Sequence, residues 1–157
     1  MVISRFEKFI RYINEIDLYW HRIASMEMKE YGFKGSSAIY FTQLLNNSGS
    51  VTSAELAAIC GRDKADVSRE LAALEKAGLI TRGDGSTRNY RAPIFLTEKG
   101  TKLAHEIFEK ADYAVEAVGK SLSDEERKFF YSSLEKISVG IRTLSETGIT
   151  KKGKEKA

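Results

Sequence analysis

Residues 52–82 read TSAELAAICGRDKADVSRELAALEKAGLITR, and this stretch decides the fold. Thr52-Ser53-Ala54-Glu55 is a capping box, in which each end satisfies a free backbone donor of the other. It opens a short helix whose inner face is predicted to carry Leu56, Ile59 and Cys60. Gly61 stops that helix, because glycine adopts left-handed geometry without steric cost. A second helix follows almost at once. Asp63 is its N-cap and Asp66 its third residue, and both acids suit the positive end of the helix dipole. Val67, Leu71 and Leu74 share one face of it, and Ala65, Arg69 and Ala72 the opposite face. Gly78 closes it.

Working outward, Leu79-Ile80-Thr81-Arg82 and Arg91-Ala92-Pro93-Ile94-Phe95-Leu96 read as two short strands around a polar, glycine-rich tip at 83–90. Pro93 has no amide donor, so the second strand is expected at an edge. Upstream, Gly32 and Gly35 interrupt the chain. Ser36 and Ser37 are placed to cap a helix carrying Ala38, Ile39, Phe41, Leu44 and Leu45, and 46–50 is a turn cluster. Before that, Phe6, Phe9, Ile10, Ile13, Ile16, Trp20 and Ile23 make one apolar stripe on a long helix spanning about 3–30. After the hairpin, a helix from Thr97-Glu98 to about Ser121 places Leu103, Ile107, Ala111, Ala114 and Val118 inside. A last helix starts at the capping box Ser123-Asp124-Glu125-Glu126 and is lined by Phe129, Phe130, Leu134, Ile137, Ile141 and Leu144.

The expected fold is therefore mainly α with a small β-wing: a winged helix-turn-helix at 36–97, a dimerisation helix at 1–31, dimerisation helices at 98–147 and a basic tail at 148–157. The long apolar stripes require a large partner surface.

The 157 residues carry a formal charge of +3, 42% hydrophobic and 30% charged residues. No apolar run approaches the roughly 18 residues of a membrane span. The first eight residues lack the pattern of a signal peptide, so a cytoplasmic location and no membrane partner are expected. Cys60 is the single cysteine, which excludes an intrachain disulfide framework. It reads as a small buried hydrophobe; peroxide sensing is the alternative. His21 and His105 stand apart from any acidic or cysteine cluster, so no metal and no cofactor are expected. No catalytic constellation is present, so the chain does not read as an enzyme.

Charge distribution says more than the sum. Arg62, Lys64, Arg69, Lys76, Arg82, Arg88 and Arg91 fall in one stretch, beside a helix pair and a hairpin. A second helix of this kind enters the major groove of double-stranded DNA with its N-terminal half against base edges. Arg69 is suited to a bidentate contact with guanine, and Ser68 to a base or phosphate. Small Ala65 permits close approach, and Lys64 lies in the first turn. Arg82 and Ser53 are placed for phosphates. An arginine at the hairpin tip, Arg88 or Arg91, fits a narrow minor groove. The alternative is a winged-helix protein–protein interaction module.

Three stretches carry a resemblance to a known family: Val51 to Ala57, Lys64 to Arg82, and Phe95-Leu96-Thr97-Glu98-Lys99-Gly100. They resemble the multiple antibiotic resistance regulator (MarR) family, which carries the same runs at this spacing around the wing. The resemblance implies a homodimer with interlocked terminal helices, acting on a pseudo-palindromic operator, usually as a repressor. It implies a recognition role for Lys64, Ala65, Ser68 and Arg69 and a wing role for Arg88 and Arg91. It also implies a small aromatic or anionic effector near Tyr19, Trp20, His21 and Tyr40, which otherwise read as core and interface residues. The chain departs from the family in the wing: an Asp-x-Arg is usual there, and Asn89-Tyr90-Arg91 stands nearest, displaced by one residue toward Leu96.

Overall fold

The computed structural model describes residues 4–47, 51–83 and 92–148. Six helices and two strands occur among them, in the order α1 (Arg5–Lys29), α2 (Ser37–Asn46), α3 (Ser53–Cys60), α4 (Lys64–Lys76), β1 (Ile80–Arg82), β2 (Ile94–Leu96), α5 (Glu98–Gly119) and α6 (Asp124–Thr147). The mainly helical, winged architecture expected from the sequence is present. The chain divides into two compact units between Ala111 and Asp112, within α5.

The helix boundaries follow local chemistry. Reciprocal capping boxes start α1 (Ser4 with Glu7), α3 (Thr52 with Glu55) and α6 (Ser123 with Glu126). Gly61 ends α3 in left-handed geometry, at φ 60°, and Arg62 N–H donates to the Ala57 carbonyl across the turn.

In the first unit the core gathers Tyr40, Phe41 and Leu44 of α2, Leu56 and Ala57 of α3, and Val67, Leu71 and Leu74 of α4. Ile80 and Ile94 close it from the sheet, Met28 from α1, and Ala104 and Ile107 from α5. Ile59 departs from expectation: it is half exposed, and Ala57 takes the inward place. Over only two turns, the positions of α2 and α4 decide which side of α3 is covered.

The sheet corrects a second expectation. β1 and β2 pair antiparallel, with Thr81 opposite Phe95. On its other side Ile94 N–H donates to the Val51 carbonyl at 2.9 Å, so β2 is bonded on both sides there and is no simple edge. Pro93 precedes β2 and accepts from Gly83 N–H at 2.8 Å. It has no N–H to return, and the ladder opens at that point.

The second unit holds the end of α5 and α6. Arg127 pairs with Glu116 at 2.7 Å and donates to the Gly119 carbonyl at 3.2 Å, closing the end of α5. Val118, expected inside, is exposed, and α6 contains no buried residue. Phe129 is 76% exposed, and Phe130, Leu134, Ile137, Ile141 and Leu144 are also exposed. The α1 stripe is in the same condition, with Phe6, Ile13, Ile16 and Trp20 exposed. Among the described residues no helix is long and apolar enough to cross a membrane.

Candidate nucleic-acid interface

Helix α4 divides into two faces. Val67, Leu71 and Leu74 are fully buried, while Lys64, Ala65, Ser68, Arg69 and Ala72 are exposed. The Asp63 carboxylate accepts from Ala65 N–H at 2.8 Å and sets the start of the helix. Arg69 forms an ion pair with Asp66 one turn back, which lays its guanidinium along the N-terminal half of α4. Arg62, in the turn between α3 and α4, is exposed as well. Ser53 opens α3, half-buried beside its cap Thr52. Arg62, Lys64 and Arg69 therefore surround the exposed start of α4.

Arg82 is held differently. Its Nε donates to Glu75 of α4 at 3.1 Å, and the side chain is only 17% exposed. The pair ties the root of the hairpin to the end of α4. A second clasp lies beside it. Thr97 N–H donates to the Leu79 carbonyl at 3.0 Å. The Thr97 hydroxyl donates to the Gly78 carbonyl at 2.7 Å and accepts from Gly100 N–H at 3.0 Å. The Lys99 ammonium donates to the Ala77 carbonyl at 3.3 Å. The carbonyls of Ala77, Gly78 and Leu79, just past the end of α4, are thus capped by Thr97 and Lys99 at the start of α5. The two sequence runs on either side of the hairpin bind each other. Arg88 and Arg91, the wing-tip candidates, and the tail beyond Gly148 lie outside the described residues.

The four residues assigned to an effector have separate surroundings. Tyr19 and Trp20 are exposed on α1, with the Arg22 guanidinium 5.2 Å from the Tyr19 ring centre. His21 Nδ1 is 2.8 Å from the Asp17 carbonyl oxygen. Tyr40 is fully buried, and among the described residues its hydroxyl has no hydrogen-bond partner. Burial and the nearby Glu70 push its pKa up, and Arg62 opposes them. Burial also pushes the Cys60 thiol up, which disfavours the reactive thiolate. Among the described residues no cluster of His, Cys, Asp or Glu could hold a metal.

The sequence reading missed Glu70. This residue of α4 is 10% exposed and accepts from two serine hydroxyls at the start of α2. Ser36 is the N-cap of α2 by position, but neither serine acts as the expected side-chain cap: Ser36 makes no capping bond, and both hydroxyls turn to Glu70. One signal was present: an acid three residues after Val67 and four before Leu74 interrupts an apolar stripe. Glu75, Thr97 and Lys99 were visible as motif residues, but their mutual contacts were not.

A braced pair of helices, packed at once against a two-stranded hairpin, defines a winged helix-turn-helix protein. Residues 31–88 match the model of the MarR family. The fold is similar to that of solved MarR regulators. A MarR family transcriptional regulator from Listeria monocytogenes, solved with a 26mer DNA, superposes with a TM-score of 0.78 at 24% identity, covering 98% of this chain and 100% of that one. A MarR protein from Peptoclostridium difficile gives 0.79 at 21%, covering 91% and 94%. The S. aureus MepR–DNA complex gives 0.72 at 21%, covering 88% and 99%. No curated protein sequence matches the chain.

Proposed function

We propose that the chain is a sequence-specific DNA-binding transcriptional regulator that occupies a pseudo-palindromic operator as a homodimer and represses transcription there. The exposed, cation-flanked start of α4 carries this reading. A helix whose outer face is Lys64, Ala65, Ser68 and Arg69 offers small side chains for close approach and one guanidinium suited to guanine. Ser53, Arg62 and Arg82 serve the phosphates, and Arg88 or Arg91 the flanking minor groove. The match of 31–88 to the MarR family and the DNA-bound relatives of the same fold support it.

The apolar faces of α1 and α6 support the dimer. Burying one Phe, Ile or Leu side chain contributes about 1.5–3 kcal/mol, and α6 alone exposes six of them between Phe129 and Leu144. Two copies related by a two-fold axis set their α4 helices about one DNA turn, roughly 34 Å, apart. The same reading includes release by a small aromatic or anionic effector near Tyr19, Trp20, His21 and Tyr40. The exposed rings and the Arg22 charge on α1 suit such a ligand. It acts only by preferring one spacing of the two DNA-binding lobes.

Selection from a randomised duplex pool, followed by anisotropy titration at two salt concentrations, tests the reading. A palindromic motif bound with steep salt dependence is expected. Absence of binding at low salt would replace it with the protein-interaction alternative.

A further inference from the structure

Residues 34–37, which lead into α2, are pressed between α1 and α4. On one side, a Cβ at Gly35 would stand 2.6 Å from Ser25 Oγ and 2.7 Å from the Ser25 backbone nitrogen, so the junction lies directly on α1. On the other side Glu70 of α4 gathers the same junction. Its carboxylate accepts from the Ser36 hydroxyl at 2.9 Å and the Ser37 hydroxyl at 3.0 Å, with the Lys34 ammonium at 3.7 Å. Ser37 is itself buried. A carboxylate this enclosed is costly unless its lone pairs are filled, and among the described residues they are filled by the junction. Val67, Leu71 and Leu74 hold α4 by apolar contacts, which tolerate small rotations. The Glu70 bonds are directional and do not.

We propose that Glu70 is a positioning residue for DNA recognition: its bonds to Ser36 and Ser37 fix the rotation of α4 against the junction, so that displacement of α1 is passed to the DNA-facing side chains. This rests on the DNA-binding reading above. Direct electrostatics predicts the opposite effect of removing Glu70. Loss of a negative charge beside a DNA-facing helix strengthens binding to any duplex, whereas loss of alignment weakens the matched duplex alone.

The test is a titration of the full chain against its selected duplex and a scrambled duplex. Glu70→Ala is expected to lower the specificity ratio roughly tenfold, with random-sequence affinity unchanged or raised. Glu70→Gln keeps an acceptor for the serines and restores most of the ratio. A Ser36→Ala, Ser37→Ala double variant, which keeps the charge, reproduces the loss and serves if Glu70→Ala fails to fold. Gly35→Ala, which displaces the junction from Ser25, lowers the ratio in the native background and adds little to Glu70→Ala. A ratio within about twofold of the native one in Glu70→Ala or the serine pair, equal damage from Glu70→Gln, or additivity with Gly35→Ala overturns the inference. A native chain that selects no motif overturns the DNA-binding reading and this inference together, before any variant is made.

Discussion

The Leu79 carbonyl oxygen lies 1.8 Å from where a Cβ on residue 100 would stand. Gly100 is therefore the only residue that lets the first turn of α5 reach the end of α4 and cap it. The same carbonyl accepts the Thr97 N–H, so backing away would break the clasp. Gly100→Ala is expected to lower stability by about 3 kcal/mol, read as a fall in the urea midpoint. A midpoint equal to that of the native chain would show that the clasp relaxes freely.

Arg69 and Arg82 should separate base reading from phosphate binding. Arg69→Ala is expected to lower operator affinity by about 1–3 kcal/mol and relax specificity at one base pair. Arg82→Ala should weaken matched and scrambled duplexes alike and reduce the salt slope by about 1. Because Glu75 holds Arg82, Glu75→Gln should act the other way, freeing the guanidinium and tightening both. Unchanged slopes in both variants would confine the Arg82–Glu75 pair to bracing the hairpin.

Phe129→Glu combined with Ile141→Glu places charge on the exposed face of α6. Since no residue of α6 is fully buried within its own chain, the variant should keep its core and, on the homodimer reading proposed above, raise the dissociation constant about a hundredfold. Sedimentation across a concentration series reads the assembly, and circular dichroism reads the fold. A dimer of native affinity would assign that face to something other than self-association.

Glu7, Glu55 and Glu126 each accept a hydrogen bond from their own N-cap backbone, which lowers their pKa values below the ordinary 4.5. The folded chain therefore holds these protons more weakly than the unfolded chain. Their stabilising contribution is complete above about pH 4.5 and is lost as pH falls through the folded values. Thermal melts between about pH 6 and pH 3 should show this decline. Replacing all three with glutamine, which still caps but does not titrate, should flatten it. An unaltered pH profile would remove the boxes from acid sensitivity.

Much of the fold was legible because its boundaries are written locally. Thr52 with Glu55, Ser123 with Glu126, and the glycines at 61 and 78 act within a few residues of themselves. The exposed face of α4 was legible for the same reason, since Val67, Leu71 and Leu74 fix its opposite. What escaped depends on distant partners. Glu70 meets its serines 33 and 34 residues away, and nothing near α2 announces that Ser36 and Ser37 will serve α4 instead of their own helix. Ile59 was misplaced because a two-turn helix takes its buried side from its neighbours. Pro93 was read as an edge signal, but its missing donor faces β1 at the neck of the hairpin, and the Ile94–Val51 bond on the far side is unaffected.

The Gly83–Pro93 bond is the last described rung of the hairpin, and the register of its root, Ile80 to Arg82 against Ile94 to Leu96, is fixed. Val51, Ile94 and Thr97 pin the root whatever lies between Gly83 and Ala92. Exchanges of residues in that interval are expected to leave the pairing of β1 with β2 and the Thr97–Leu79 bond intact. On the DNA-binding reading proposed above, the charge carried by that interval can then vary independently of the frame that holds α4.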